Sequence, residues 1–156
     1  MTSLNRDFRD ILSLFNTERV EYLVVGAYAL AAHGLPRATG DIDLWVRPTP
    51  GNAQQVERAL LAFGTPSDQF SRSDFESDDL ILQLGVPPGR VDVITSIESV
   101  SFDEAWPNRV VVELDGISIP VLGRDELLRN KRAVGRPQDQ ADVARLEAQA
   151  RGPRDP

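Results

Sequence analysis

Three carboxylates in this chain stand where a strand normally carries apolar side chains. In Asp41-Ile42-Asp43-Leu44-Trp45-Val46 polar and apolar residues alternate. The two-residue period of a strand sends Asp41, Asp43 and Trp45 to one face and Ile42, Leu44 and Val46 to the other. Two carboxylates a few ångströms apart repel. Both stay ionised near neutral pH only when a cation sits between them; otherwise one keeps its proton. Asp92 lies between Val91 and Val93 in a second strand-like segment, Arg90–Thr95. Should that strand run beside the first, three carboxylates converge into a hard-oxygen site suited to Mg²⁺ or Mn²⁺. Such a cluster can hold two ions roughly 3.5–4 Å apart, a geometry for in-line displacement at phosphorus. An Asp-x-Asp pair alone is usually a solvated strand edge; the separate Asp92 between valines is what argues for a metal.

Gly26 adds a second signal. It separates the apolar run Tyr22–Val25 from the helix-forming run Ala27–His33. A glycine there lets a phosphate approach the backbone N–H groups of Gly26 and Ala27 at the start of the helix, or it is simply the turn between strand and helix. Arg37 and Thr39 line the approach to the Asp-x-Asp strand, where Arg37 meets either a phosphate or a carboxylate. Trp45 either stacks a base or packs. Lys131 and Arg136 are followed by Asp139 and Asp142. The two aspartates lie three apart on one helical face, near a helix N-terminus that itself favours carboxylates. His33, closing an alanine-rich helix, reads as a packed residue. The acidic run Asp68, Asp74, Glu76, Asp78 and Asp79 lacks the spacing of a calcium loop and reads as solvated.

Local patterns supply the elements that position these residues. Phe8, Ile11, Leu12 and Phe15 share one helical face. Residues 22–25 and 41–46 read as strands, with the helix 27–33 between them stopped by Gly34 and Pro36. Asn52 reads as the cap of a helix that turns Ala53, Val56, Leu60 and Phe63 inward. Residues 64–78 read as a mobile loop. Two hairpins follow, 80–84 with 90–95 and 109–114 with 117–122, the second closed by Asp115-Gly116. Helices are expected at 124–134 and from Pro137 to about 150, with a flexible tail at 151–156. The order α-β-α-β-α-β-β-β-β-α-α predicts an α/β (α+β) fold: a mixed sheet flanked by helices, in one domain spanning 1–150.

Composition limits the alternatives. The 156 residues include no cysteine and one histidine, which excludes thiol catalysis, Cys-based zinc sites and a multi-His centre. The formal charge of −7 argues against holding nucleic acid by bulk charge. Arg124, Arg129, Lys131, Arg132 and Arg136 form the one concentrated basic stretch. No apolar stretch is long enough to span a bilayer, and the polar N-terminus has no signal core, so a cytoplasmic protein is expected. Neither G-x-G-x-x-G nor G-x-x-x-x-G-K-[ST] is present, so the Rossmann and P-loop classes are poor fits.

Gly26-Ala27, Ala31-Ala32-His33-Gly34, Arg37, Thr39 and Asp41-Ile42-Asp43-Leu44, with Asp92 on a later strand, resemble the polymerase-β-type nucleotidyltransferase superfamily. The segment KRAVGRPQDQADV, with Lys131 and Arg136 separated by four residues and Asp139 beyond, is similar to the minimal, AbiEii-type toxin branch. The resemblance spans about residues 20–146. It implies transfer of an NMP from an NTP to a hydroxyl of a tRNA, a protein or a small molecule, with Mg²⁺ or Mn²⁺ as cofactor. In that scheme Asp41, Asp43 and Asp92 are catalytic metal ligands and Lys131 is catalytic, neutralising the triphosphate. Gly26, Ala27, Arg37, Thr39, Arg136 and Asp139 bind the nucleotide. A role in phage defence with an antitoxin partner is also implied. Ala27 departs from the usual Gly or Ser, which removes a hydroxyl and leaves the N–H. The chain is shorter than most of the toxins. The alternative is a catalytically weakened nucleotide- and metal-binding regulatory module of the same fold.

Overall fold

The computed structural model describes residues 4–150, and the tail expected at 151–156 lies outside them. Its elements are α1 (Arg6–Thr17), β1 (Tyr22–Val25), α2 (Gly26–Ala32), β2 (Asp41–Val46), α3 (Pro50–Phe63), β3 (Ile81–Leu84), β4 (Arg90–Ile94), α4 (Phe102–Ala105), β5 (Val110–Leu114), β6 (Ile117–Val121), α5 (Arg124–Val134) and α6 (Pro137–Ala150). The sheet order is β3-β4-β2-β1-β6-β5. β4 runs parallel to β2 and β6 parallel to β1, while the β3–β4, β2–β1 and β6–β5 pairs are antiparallel. This is a single mixed six-stranded sheet flanked by helices.

Each face of the sheet follows from strand alternation. On β2, Ile42, Leu44 and Val46 are buried against one helical layer. Tyr22, paired with Val46, meets Phe15 of α1 edge-on, with ring centroids 5.2 Å apart. On the opposite face, which carries Asp41 and Asp43, Trp45 is 1% exposed and meets Phe102 of α4 edge-on at 5.1 Å. Trp45 is therefore core, and the base-stacking role weighed for it is excluded. Its indole N–H has no conventional acceptor.

Three local expectations are corrected. The cap of α3 is Thr49, whose hydroxyl accepts from the backbone of Asn52. Asn52 instead lies in the first turn and reaches back: its Oδ1 accepts from Glu21 N at 2.7 Å, and its Nδ2 donates to the carbonyls of Glu21 and Arg47. It thus ties the start of β1 to the end of β2. Residues 64–78 are not a free loop, because a 3₁₀ turn at Arg72–Glu76 buries Phe75 completely and pairs Arg72 with Glu57 at 2.8 Å. Finally, the expected order runs directly from strand 90–95 to strand 109–114, whereas α4 and a 3₁₀ turn, Trp106–Asn108, lie between them. A capping box starts α4, with Glu104 N donating to Ser101 Oγ and Ser101 N donating to Glu104 Oε1. The β5–β6 turn is as expected: Asp115 and Gly116 both have positive φ, 52° and 77°, which a two-residue hairpin turn requires.

Candidate active site

Register builds the site. β2 and β4 are adjacent and parallel, with Asp41 opposite Arg90 and Asp43 opposite Asp92. β1 ends with Val25 opposite Asp43, so Gly26 comes directly beside that carboxylate. Asp41, Asp43 and Asp92 each offer one oxygen, all within 4.8 Å of one another. The three carboxylates singled out from the sequence therefore do converge, on the face opposite Ile42 and Leu44.

The electrostatics are those of crowded like charges. Burial, then the charges of Asp41 and Asp92, push the Asp43 carboxyl up to about 7, helped by a hydrogen bond to Asp92 and opposed by Arg90. Asp92 is 6% exposed. Arg90 is the residue that sequence reasoning missed. Its guanidinium pairs with Asp41 and lies 3.0 Å from Asp92 through Nε and Oδ1. That last pair is close without a well-aligned hydrogen bond, so both atoms are buried and unsatisfied in direction. The available signal was alternation: Arg90 sits two residues before Asp92, hence on the same face.

Gly26 has φ +69°, and a Cβ added there would come within 2.1 Å of Asp43 Oδ2. Only a residue without a side chain fits against this carboxylate. Ala27 follows in the first turn of α2. Thr39 supports the cluster from the loop before β2: its hydroxyl donates to Asp41 Oδ1 at 3.1 Å. The donor set fits a hard divalent cation. It has three converging carboxylates, a buried oxygen on Asp92 with no aligned donor, and a guanidinium already standing among them as a cation.

The remaining candidates form a second cluster. Lys131, 8% exposed, places Nζ 3.1 Å from Asp139 and 3.0 Å from Asp142, both of which are buried. Arg136 pairs with Asp139 at 2.7 Å, and Arg37 pairs with Asp142. The hydrogen bond from Arg136, with those and the charge of Lys131, holds the Asp139 carboxyl down at about 2. Burial pushes Asp142 upward, yet bonds from Lys131 and Arg37 outweigh it and leave the group lowered. Of the two readings of Arg37, the carboxylate partner is the one observed. Arg37 lies in the loop that leads through Thr39 to Asp41, so this cluster clamps α5 and α6 to the entrance of β2. His33 at the end of α2 is tied to the carbonyl of Leu122 at 2.8 Å through Nε2 and does not join either cluster.

Two outcomes follow for the second cluster. Lys131→Met leaves two buried carboxylates without their shared cation and is expected to cost about 3 kcal/mol of stability in urea denaturation. Because the folded-state value of Asp139 lies below its ordinary 3.8, its contribution is present above pH 4 and is lost as pH falls toward 2. Asp139→Asn should therefore be about 2 kcal/mol less stable than the parent at pH 6 and converge with it near pH 2.

With sheet and site in place, the chain has the nucleotidyltransferase fold. Over 92% of both chains it superposes, with TM-score 0.58 and 23% identity, on TM1012 of Thermotoga maritima, a protein described as a nucleotidyltransferase. It is also similar to the antibiotic-resistance factor ANT(2'')-Ia, at TM-score 0.59 and 14% identity over 94% of this chain and 83% of that one. The lincosamide adenylyltransferase LnuA, solved with lincomycin, matches at TM-score 0.56 and 14% identity over 95% of this chain and 99% of that one. No family model and no curated protein matches the sequence. Among the described residues, no helix is long and apolar enough to cross a membrane.

Proposed function

We propose that this chain is a nucleotidyltransferase that moves an NMP from an NTP to a hydroxyl acceptor with Mg²⁺ or Mn²⁺ as cofactor. The carrying observation is the convergence of Asp41, Asp43 and Asp92 beside the Gly26 turn. In this reading Asp41, Asp43 and Asp92 would hold the divalent metal, and Asp92 would also accept the proton of the attacking hydroxyl. The acceptor oxygen bonds to the α-phosphorus, the bond to the bridging oxygen breaks, and pyrophosphate leaves. The divalent metal supplies charge neutralisation on the phosphates. The N–H groups of Gly26 and Ala27 face the triphosphate, and Thr39 keeps Asp41 oriented. Arg37, Lys131, Arg136 and Asp139 act on the nucleotide through the clamp that fixes α5 and α6. Lys131 and Arg136 contact phosphate directly only if they exchange their carboxylate partners for it.

A small molecule or a protein hydroxyl is favoured over tRNA as acceptor. The formal charge is −7, and Lys131, Arg132, Arg136 and Arg129 of the basic stretch are each paired with a carboxylate. Two of the structural neighbours, ANT(2'')-Ia in complex with adenylyl-2"-tobramycin and lincomycin-bound LnuA, hold a small-molecule substrate or product. The Lys131–Arg136 segment supports a second reading, an AbiEii-type toxin with an antitoxin partner. Dependence on NTPs places either activity in the cytoplasm. The test is incubation with Mg²⁺ or Mn²⁺, each of four radiolabelled NTPs and a cell extract, followed by RNase or protease. Metal-dependent labelling of an RNase-resistant product is expected. No transfer from any NTP with either metal would leave the regulatory, non-catalytic alternative, for which the hydroxyl missing at Ala27 speaks.

A further inference from the structure

We infer that Arg90 is an internal cation of the carboxylate cluster, which an incoming metal must displace and which then faces the nucleotide's phosphates. The inference rests on the metal-site reading above and goes beyond it, because it assigns a function to a residue outside the acidic triad. Arg90 opens β4, opposite Asp41 and two residues before Asp92. Its guanidinium contacts the oxygens a divalent ion would need: it pairs with Asp41 Oδ2 and lies 3.0 and 3.2 Å from Asp92. It makes no ion pair with Asp43. Among the described residues the triad therefore has one positive neighbour for three carboxylates, and that neighbour blocks two of them.

Geometry makes the exchange feasible. The Arg90 side chain is 28% exposed, so it has solvent to move into. Its Nε and Asp92 Oδ1 are buried without aligned partners, so the resting contact is only partly satisfied, while its bonds to Asp41 and to the other Asp92 oxygen are what an arriving metal must outbid. A divalent ion offers the carboxylates twice the charge in a smaller radius. The released guanidinium stays anchored at the start of β4 beside the carboxylates, and guanidinium suits bidentate phosphate contact. Arg90 thus lowers affinity for metal alone and raises affinity for metal with nucleotide, which couples the two binding events.

The experiment measures Mn²⁺ binding by titration calorimetry and by the shift in Tm, for the parent, Arg90→Gln and Arg90→Lys, without nucleotide and then with a non-hydrolysable NTP analogue. Circular dichroism checks that each variant is folded. Arg90→Gln is expected to bind Mn²⁺ alone about tenfold more tightly than the parent, with a lower Tm before metal and a larger rise with it. The analogue is expected to bind its Mn²⁺ form about tenfold more weakly. Arg90→Lys should fall between, because an ammonium neutralises charge without the bidentate fork. If the parent binds Mn²⁺ and Arg90→Gln binds it equally or more weakly, the displacement idea is wrong while the metal site stands. If neither protein binds Mn²⁺, the metal-site reading fails and this inference with it.

Discussion

Gly26→Ala is expected to remove metal binding and to lower transfer by about 10²-fold or more. Two effects combine at this position. The backbone is left-handed, φ +69°, which costs an L-residue roughly 1–2 kcal/mol. The added methyl would also come within 2.1 Å of Asp43 Oδ2. No protein contact of that length survives, so either Asp43 rotates away from Asp41 and Asp92 or the β1–α2 junction shifts. Each response breaks the convergence on which a divalent ion depends. Gly64→Ala separates the two effects. Gly64 has φ +102°, but nothing lies within 4 Å of a Cβ there. That variant should lose stability alone and keep its response to metal. The check is a thermal melt of each protein with and without millimolar Mn²⁺, alongside the labelling assay. A Gly26→Ala protein that melts with the parent's metal-induced rise would show that the glycine does not set the position of Asp43.

What the sequence made legible is what depends on near neighbours. The helical face Phe8-Ile11-Leu12-Phe15 and the alternation in Asp41–Val46 repeat within a few residues. The Asp115-Gly116 turn needs positive φ at both positions, and its residue types announce that. Gly26 was visible as a break between strand and helix, but its collision with Asp43 was not, because that contact depends on β1 and β2 pairing in one register. Arg90 was overlooked for a related reason. Its partner Asp41 lies about fifty residues earlier and meets it only because β4 crosses over to lie parallel to β2. The same holds at the other cluster. Lys131 reads along the chain as a solvated or phosphate-facing lysine, whereas the fold brings Asp139 and Asp142 under it and Arg37 over Asp142; only the Arg136–Asp139 pair, three residues apart, is local. Charge in a sequence can be counted, but its neutralisation is a tertiary fact. The mistaken Asn52 cap belongs here too: an Asn near a helix start has the right chemistry for a cap, and only packing shows that Glu21 and Arg47 claim its side chain.

Asp43→Asn is expected to yield a protein that is inactive and yet more stable than the parent when metal is withheld. The Asp43 carboxyl has its folded-state value raised from 3.8 to about 7 by burial and by its two acidic neighbours. The unfolded chain releases that proton near pH 4 while the folded chain retains it. The parent's stability therefore declines as pH rises from about 4 to 7 and levels off above. The full span corresponds to about 4 kcal/mol. Partial access to water and the shared charge of Asp41, Asp92 and Arg90 reduce this to about 2 kcal/mol. Asparagine does not titrate, so the variant escapes the decline. The two proteins should melt together near pH 4, and at pH 8 the variant should melt about 4–8 °C higher. Millimolar Mn²⁺ should reverse the order, because the parent gains binding energy that the variant, one carboxylate short, cannot collect. That crossing distinguishes a cation site from a structural acidic patch: in a patch built for stability, removing Asp43 would lower Tm at every pH and metal would not change the ranking.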